Sequence, residues 1–344
     1  MDREVRDRYI PILKMYRLHV EHLEEYGNVV KVYTNQGPYA LKKLRSSHIE
    51  RSDFIQNIRL LAEKGFTNYA PVYHSMDGNY VLSDGENRYY LMPWLESDGG
   101  EENDHYHRMF QTLALMHQKT AREEKISEEK VRNHYDSISR RWEQEKNMLD
   151  QFIVSCENKW YMSPFELQYC TYYHHVMRSH QFATKKLDEW HEAMKEKEST
   201  RISLIHGNVA SNHFLFDHQR NGYFISLEQL QYSTPIQDLV QFYLRSLYTY
   251  PIARNDRYEW FHEYQKTFPF TQEENKLMLA YLSYPQRFTK RVSEYMEAAP
   301  REDVQEIHSV NSLQRGYWLI SNTEFFISQI QAAEAQQKEQ NQQT

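Results

Sequence analysis

The sequence has little cysteine: two residues, Cys156 and Cys170, among 344. No metal-ligand spacing surrounds them, so neither a disulfide framework nor a zinc knuckle is expected, and both read as free or buried thiols. A run of eighteen apolar residues is lacking, which removes the expectation of a membrane-spanning helix. A basic excess is lacking too: 41 Lys and Arg stand against 48 Asp and Glu, a formal charge of −7, where a dedicated nucleic-acid binder would show a basic stripe. The 17 histidines contain no His-Glu-x-x-His pattern, which speaks against a zinc enzyme. Met1-Asp2-Arg3-Glu4-Val5-Arg6 has no apolar segment behind it and does not read as a signal peptide, so synthesis and folding in a cytosol are expected.

What is present is ordinary for a soluble chain, 40% hydrophobic and 26% charged, and the length suits two substantial lobes. The 27 tyrosines are an excess. Tyr169, Tyr172 and Tyr173 cluster in a predicted helix, where they read as amphipathic packing with the hydroxyls reaching water. Oxidative cross-linking in an insoluble assembly is the alternative, and composition leaves it open.

Residues 1–94 read as a small antiparallel sheet with one helix. Val29–Tyr33 and Tyr39–Lys42 are β-rich runs around the turn residues Asn35-Gln36-Gly37-Pro38, which places Lys42 at the end of a hairpin arm. Phe54, Ile58, Leu61 and Ala62 fall at helical spacing from about Ser52 to Lys64, and Gly65 closes that helix. Short strands follow at 71–74, 80–82 and 89–92, and an acidic stretch from Ser97 to Asp104 marks the lobe boundary. Residues 95–335 are predicted helical apart from one hairpin region, 203–228, with Asn221-Gly222 as its turn signal. The polar, glutamine-rich segment 336–344 is expected to be disordered.

A β-rich lobe with a strand lysine, followed by a helical lobe bearing one hairpin, is the layout of an α+β, two-lobed protein-kinase-like fold. The run His206-Gly207-Asn208-Val209-Ala210-Ser211-Asn212-His213-Phe214 resembles the catalytic loop of the aminoglycoside phosphotransferase and choline kinase-like superfamily, whose pattern is His-Gly-Asp, four residues, Asn. Ile225-Ser226-Leu227-Glu228 stands where that superfamily carries a metal-binding aspartate, and Pro235-Ile236-Gln237-Asp238-Leu239 resembles its Pro-x-x-Asp-Leu helix start. Leu113-Ala114-Leu115-Met116-His117 resembles the helix ahead of the loop.

The resemblance assigns functions to positions, and several positions are substituted. Phosphoryl transfer needs a carboxylate to orient the attacking hydroxyl, and oxygen ligands to hold magnesium on the phosphates. The catalytic-aspartate position holds Asn208, an uncharged amide. The metal-asparagine position holds His213 when counted without gaps, or Asn212 with a slip of one, and both alternatives stay open. The metal-aspartate position holds Ser226; Glu228, two residues on, is the one candidate rescue if the strand continues. Lys42 stands where the phosphate-binding lysine belongs, while Gln56 and Asn57 occupy the turn where its glutamate partner is expected, and Glu50 lies too early. His206 reads as a residue that shapes the loop, and Asp238 as a cap or structural acceptor. No metal ligand set is therefore assigned, and ATP with magnesium belongs only to the alternative of a retained kinase activity.

Within the superfamily, Lys64-Gly65-Phe66, Pro71, Asp77-Gly78, Tyr89-Tyr90-Leu91-Met92 and Trp94 resemble the CotS family of spore coat-associated proteins. That resemblance implies a kinase-like protein of the spore coat, made in the mother-cell cytoplasm, with other coat proteins as partners. Asn208 and Ser226, where the family pattern keeps aspartates, make a degenerate, non-catalytic version the expectation. Charge and hydropathy point away from nucleic acid and membrane insertion. A residual small-molecule kinase and a metal-independent nucleotide-binding module are the alternatives.

Overall fold

A computed structural model describes residues 3–44, 54–96, 101–298 and 303–343. The predicted helix start at Ser52, Glu50, and the stretch from Ser97 to Gly100 lie outside them. The chain divides into two compact units, residues 1–121 with 203–233, and residues 122–202 with 234–344. That division departs from the expected boundary at 94/95: the helix after the sheet and the hairpin region both belong with the N-terminal sheet. Side chains and backbone bonds from the hairpin to the sheet, described below, tie them together.

The first unit is built on a five-stranded antiparallel sheet of order β1-β2-β3-β5-β4. Its strands are β1 (Val20–Tyr26), β2 (Val29–Thr34), β3 (Gly37–Leu44), β4 (Leu82–Ser83) and β5 (Arg88–Pro93). In β2 the alternation is plain, with Val30, Val32 and Thr34 buried between half-exposed neighbours. The β2–β3 hairpin forms where its turn residues predicted, with Thr34 paired to Gly37. The Thr34 hydroxyl accepts the Gln36 N–H at 3.1 Å and donates to the Gly37 carbonyl at 2.8 Å.

Two elements were not legible in the sequence. Strand β1 reads Val-Glu-His-Leu-Glu-Glu-Tyr and buries only Leu23 fully, so it has no apolar alternation to detect. Helix α1 (Arg3–Lys14) contains Pro11, an ordinary breaker, yet Tyr9, Ile12 and Leu13 lie on one face and cover Leu23, Val30, Val32, Leu41 and Leu91 of the sheet.

Helix α2 (Phe54–Glu63) buries Phe54, Ile58 and Leu61, as the spacing predicted. It closes in a Schellman arrangement: Phe66 N–H reaches the Leu61 carbonyl and Gly65 N–H reaches Ala62, with Gly65 at φ +72°. Helix α3 (Glu102–Thr120) buries Met109, Phe110, Leu113, Ala114, Met116 and His117 along one face.

The hairpin of β8 (Phe214–Phe216) and β9 (Gly222–Phe224) forms around the Asn221-Gly222 signal, with a loop longer than two residues. Residues 217–221 form the loop, Arg220 takes the left-handed conformation at φ 62°, and the Asp217 carboxylate accepts the N–H groups of Gln219 and Asn221. Gly222 is needed for space instead: a Cβ there would lie 2.3 Å from the fully buried Phe214 ring. Strand β10 (Gln231–Ser233) then pairs with residues 203–205 of β7 (Ser199–Ile205).

The second unit is helical, apart from β6 (Arg122–Lys125) pairing with residues 199–202 of β7. Its helices are α4 (Glu128–Glu157), α5 (Pro164–Met194), α6 (Ile236–Ser246), α7 (Asp256–Thr267), α8 (Gln272–Ser283), α9 (Gln286–Glu297) and α10 (Asp303–Gln343). Capping boxes at Ser163/Glu166 and Thr271/Glu274 start α5 and α8. The core includes Leu149, Phe165, Tyr169, Phe288, Leu313 and Ile320. The tyrosine cluster is packing, with its hydroxyls on protein acceptors: Tyr169 donates to the Leu149 carbonyl at 2.7 Å and Tyr173 to Asp150 at 2.6 Å, while Tyr172 stacks on Tyr317 at 3.7 Å. Cys156 is buried and Cys170 half-buried, both as free thiols. Helix α10 runs to Gln343, through most of the segment expected to be disordered; its Gln, Lys, Glu and Ala residues are good helix formers.

Gly222→Ala is expected to lower unfolding stability by about 1–3 kcal/mol, because the Phe214 ring has no room to move. Urea denaturation measures it; an unchanged midpoint would mean that the hairpin yields at this point.

Candidate active site

Strand register brings the site's first two residues together. In β3, Lys42 lies directly opposite Tyr90 of β5, so both side chains leave the same face of the sheet. The Lys42 ammonium is 2.7 Å from Glu228 Oε1 and donates to Ser226 Oγ at 2.6 Å. Tyr90 donates its hydroxyl to the same Glu228 oxygen at 2.6 Å.

The group is nearly dry, with the Lys42 and Glu228 side chains 14% and 10% exposed. Burial alone would push the Glu228 carboxyl up, but the Lys42 charge and hydrogen bonds from Lys42 and Tyr90 outweigh it and hold the group below its ordinary value. The Tyr90 phenol is driven well above its usual range by burial and by the adjacent carboxylate.

Glu228 does not reach Lys42 by strand alternation, as the sequence suggested. Strand β9 ends at Phe224, and Ser226 turns the chain in the left-handed region, φ 65° and ψ 43°, a conformation that costs a serine about 1–2 kcal/mol. A 3-10 turn over Leu227–Gln229 then presents the carboxylate. Helix α2 supports this turn from outside, where Asn57 Nδ2 donates to the Leu230 carbonyl at 2.8 Å. Thus α2 supplies an amide to the backbone, and the carboxylate on Lys42 comes from the chain after the hairpin.

The loop 206–213 is held by its own histidines. His206 is fully buried; its Nδ1 accepts the Asn208 N–H at 3.2 Å, so its Nε2–H is the group that meets the Ile225 carbonyl at 2.9 Å. Gly207 sits at φ +74°, and a Cβ there would lie 2.7 Å from the Gln229 carbonyl oxygen. His213 bonds through Nδ1 to the Asn208 carbonyl at 2.8 Å, and its ring lies 6.0 Å from that of His206 at 15°. Burial lowers the His213 pKa to about 4, with the Asn208 carbonyl opposing the shift and Lys42 adding to it, so the ring is neutral near pH 7. Asn212 is exposed in the 3-10 turn, so it is His213 that lines the loop. His117 is fully buried in α3; Asp238 is fully buried in the first turn of α6, in the second unit.

These donors do not fit a magnesium site. Magnesium wants several hard oxygens in octahedral array. Here a single carboxylate is available and its Oε1 is shared by an ammonium and a phenol, the serine hydroxyl accepts from that ammonium, and the third position is imidazole. Among the described residues no group of three His, Cys, Asp or Glu could hold a metal ion. Tyr90 escaped the sequence reading, although register opposite a strand lysine was a signal that could have found it. The same face also carries Lys31, opposite Ala40, with its ammonium 4.5 Å from the Trp94 ring centroid.

A small antiparallel sheet bearing a lysine, on a His-Gly-x loop and hairpin, together with a larger helical part, defines an aminoglycoside phosphotransferase/choline kinase-like fold. The chain belongs to the phosphotransferase enzyme family, which it matches over residues 20–274. In three dimensions it is similar to an aminoglycoside phosphotransferase from Alicyclobacillus acidocaldarius, with a TM-score of 0.71 at 17% identity over 94% of this chain and 95% of that one. A microcompartment-associated aminopropanol kinase is similar with a TM-score of 0.55 at 12% identity, over 95% of this chain and 98% of that one. A spectinomycin phosphotransferase solved with ADP and spectinomycin gives 0.55 at 11% identity, over 93% and 98%. At these identities the likeness concerns the fold. No curated protein matches the sequence significantly.

Two outcomes follow for the site. Lys42→Met strands a buried carboxylate and should cost about 3 kcal/mol in chemical denaturation, most of it recovered when Glu228→Leu is added. Two additive losses would show that the pair is not coupled. For His213, the folded pKa of about 4 lies below the ordinary 6.5, so the unfolded chain binds the proton first as pH falls. The stability tied to the neutral ring is whole above about pH 6.5 and is lost between there and pH 4, by about 2 kcal/mol from pH 7 to 5. Urea titrations at both pH values should show a shallower loss in His213→Asn, whereas an equal loss would remove His213 as its source.

Proposed function

We propose that this chain is a non-catalytic member of the phosphotransferase enzyme family, working as a binding or scaffold component. One observation carries the reading: Lys42, in the phosphate-binding position, is neutralised by Glu228 and bonded to Ser226 inside its own unit. Phosphoryl transfer is mostly positioning and electrostatic stabilisation of phosphate charge. Here the Lys42 ammonium already faces Glu228 and Ser226, which leaves a phosphate one of its three donors. The phosphate would then find Asn208 where a carboxylate base belongs and His213 and Ser226 where the metal ligands belong. A fuller grip on phosphate would mean separating the pair, which costs several kcal/mol. The family and the similar structures are phosphotransferases, so loss of the reaction is a claim about this chain's own substitutions.

The setting of such a scaffold follows from the resemblance to the CotS family: a spore coat component, made in the mother-cell cytoplasm and assembled with other coat proteins. Its support is the set of motifs quoted above. A fluorescent fusion that stays diffuse through sporulation would end that part of the reading.

Thermal unfolding of the purified chain with millimolar ATP and magnesium tests the loss of function, since a ligand bound only by the folded state raises the midpoint by mass action. No shift is expected. A magnesium-dependent shift would overturn the proposal in favour of a working kinase site, and a shift with ATP alone would replace it with a nucleotide-binding module.

A further inference from the structure

The first unit holds a cavity of about 760 Å³ that none of Lys42, Asn208, His213, Ser226 or Glu228 lines. Six aromatic residues line it: Tyr39, Tyr69, Tyr73, Trp94, Phe216 and Tyr223. Tyr39 precedes Ala40 in β3, so its side chain leaves the sheet on the face opposite to that of Ala40 and Lys42.

The walls are pinned by backbone bonds. Trp94 N–H reaches the Pro38 carbonyl at 3.2 Å, Glu96 and Phe216 exchange a pair at 3.2 and 3.0 Å, and Ala70 N–H meets the Phe224 carbonyl at 2.9 Å. The cavity is therefore formed before any ligand arrives, which spares the cost of ordering it.

Its chemistry is one-sided. Tyr39, Tyr69 and Tyr73 are among the lining residues, and no described residue accepts a hydrogen bond from the hydroxyl of any of them. Burial raises the pKa of Tyr69 and Tyr73, so both stay protonated as donors. The Asp217 carboxylate is spent on its own loop and on Tyr223, whose hydroxyl it accepts at 3.0 Å. Glu96 is exposed at the cavity with no described partner for its carboxylate. Arg220 and His218 also line the cavity, so its overall charge is mixed.

Aromatic faces with surplus donors fit a ligand that is apolar, rich in acceptors and poor in donors. A polyproline II segment has that character: its rings pack on aromatic walls, and its carbonyls have no N–H groups of their own to satisfy. We propose that this cavity docks a proline-rich peptide segment of a partner protein, with a basic residue at one end meeting Glu96. The site is independent of the Lys42 region, so it stands or falls separately from the reading of lost catalysis.

The test is fluorescence anisotropy of the full chain with a fluorescein-labelled peptide of ten prolines ending in one arginine. A Gly-Ser peptide of equal length and charge serves as control. Saturable binding of the proline peptide alone is expected. Tyr69→Phe with Tyr73→Phe, which removes two oxygens and no packing volume, should weaken it at least about fivefold. Glu96→Gln should weaken the arginine-tailed peptide and leave a tail-less one unchanged. No saturable binding at millimolar peptide would overturn the proposal, as would equal binding of the Gly-Ser control or undiminished binding by the double Phe variant in a chain with an unchanged melting midpoint.

Discussion

The geometry of the candidate site depends on one contact, the ion pair of Lys42 with Glu228. It joins the third strand of the sheet to the chain just after the hairpin, positions 186 residues apart in sequence. An ammonium and a carboxylate removed from water are tolerable only together. Each therefore dictates where the other must be: Ser226 accepts the strained left-handed turn that carries Glu228 inward, Asn57 secures the Leu230 carbonyl, and Tyr90 adds a second hydrogen bond to the oxygen that faces Lys42.

The substitutions make chemical sense as a set. Ser226 offers Lys42 a hydroxyl without charge, and Glu228, two residues later, supplies one negative charge. That charge is spent inside the protein. Histidine in place of the amide is accommodated by becoming neutral, held on the Asn208 carbonyl and packed beside His206. The loop is held in shape by histidine hydrogen bonds and the crowded Gly207.

Much of the fold was legible because local signals agreed with it. The β2–β3 turn residues, the i, i+4 and i+7 spacing of Phe54, Ile58 and Leu61, and the Gly65 stop are short-range patterns, and all of them formed. The failures were also local in origin. Strand β1 is nearly all polar, α1 carries an internal proline, and the last segment of α10 was read by its polarity although its residues favour helix. Gly222 was read as a turn residue when its role is to leave room for an aromatic ring.

The sequence by itself determined which chemical groups stand in the loop and after the hairpin: Asn208, the neighbours Asn212 and His213, Ser226 and Glu228. Residue identity at a motif position needs no coordinates. Only the tertiary structure decided what those groups touch. That Glu228 closes on Lys42, that α2 contributes no carboxylate to it, and that His213 instead of Asn212 lines the loop are consequences of register, a left-handed turn and burial. These are set by packing between segments far apart in the chain, and periodicity reports nothing beyond the next turn or strand.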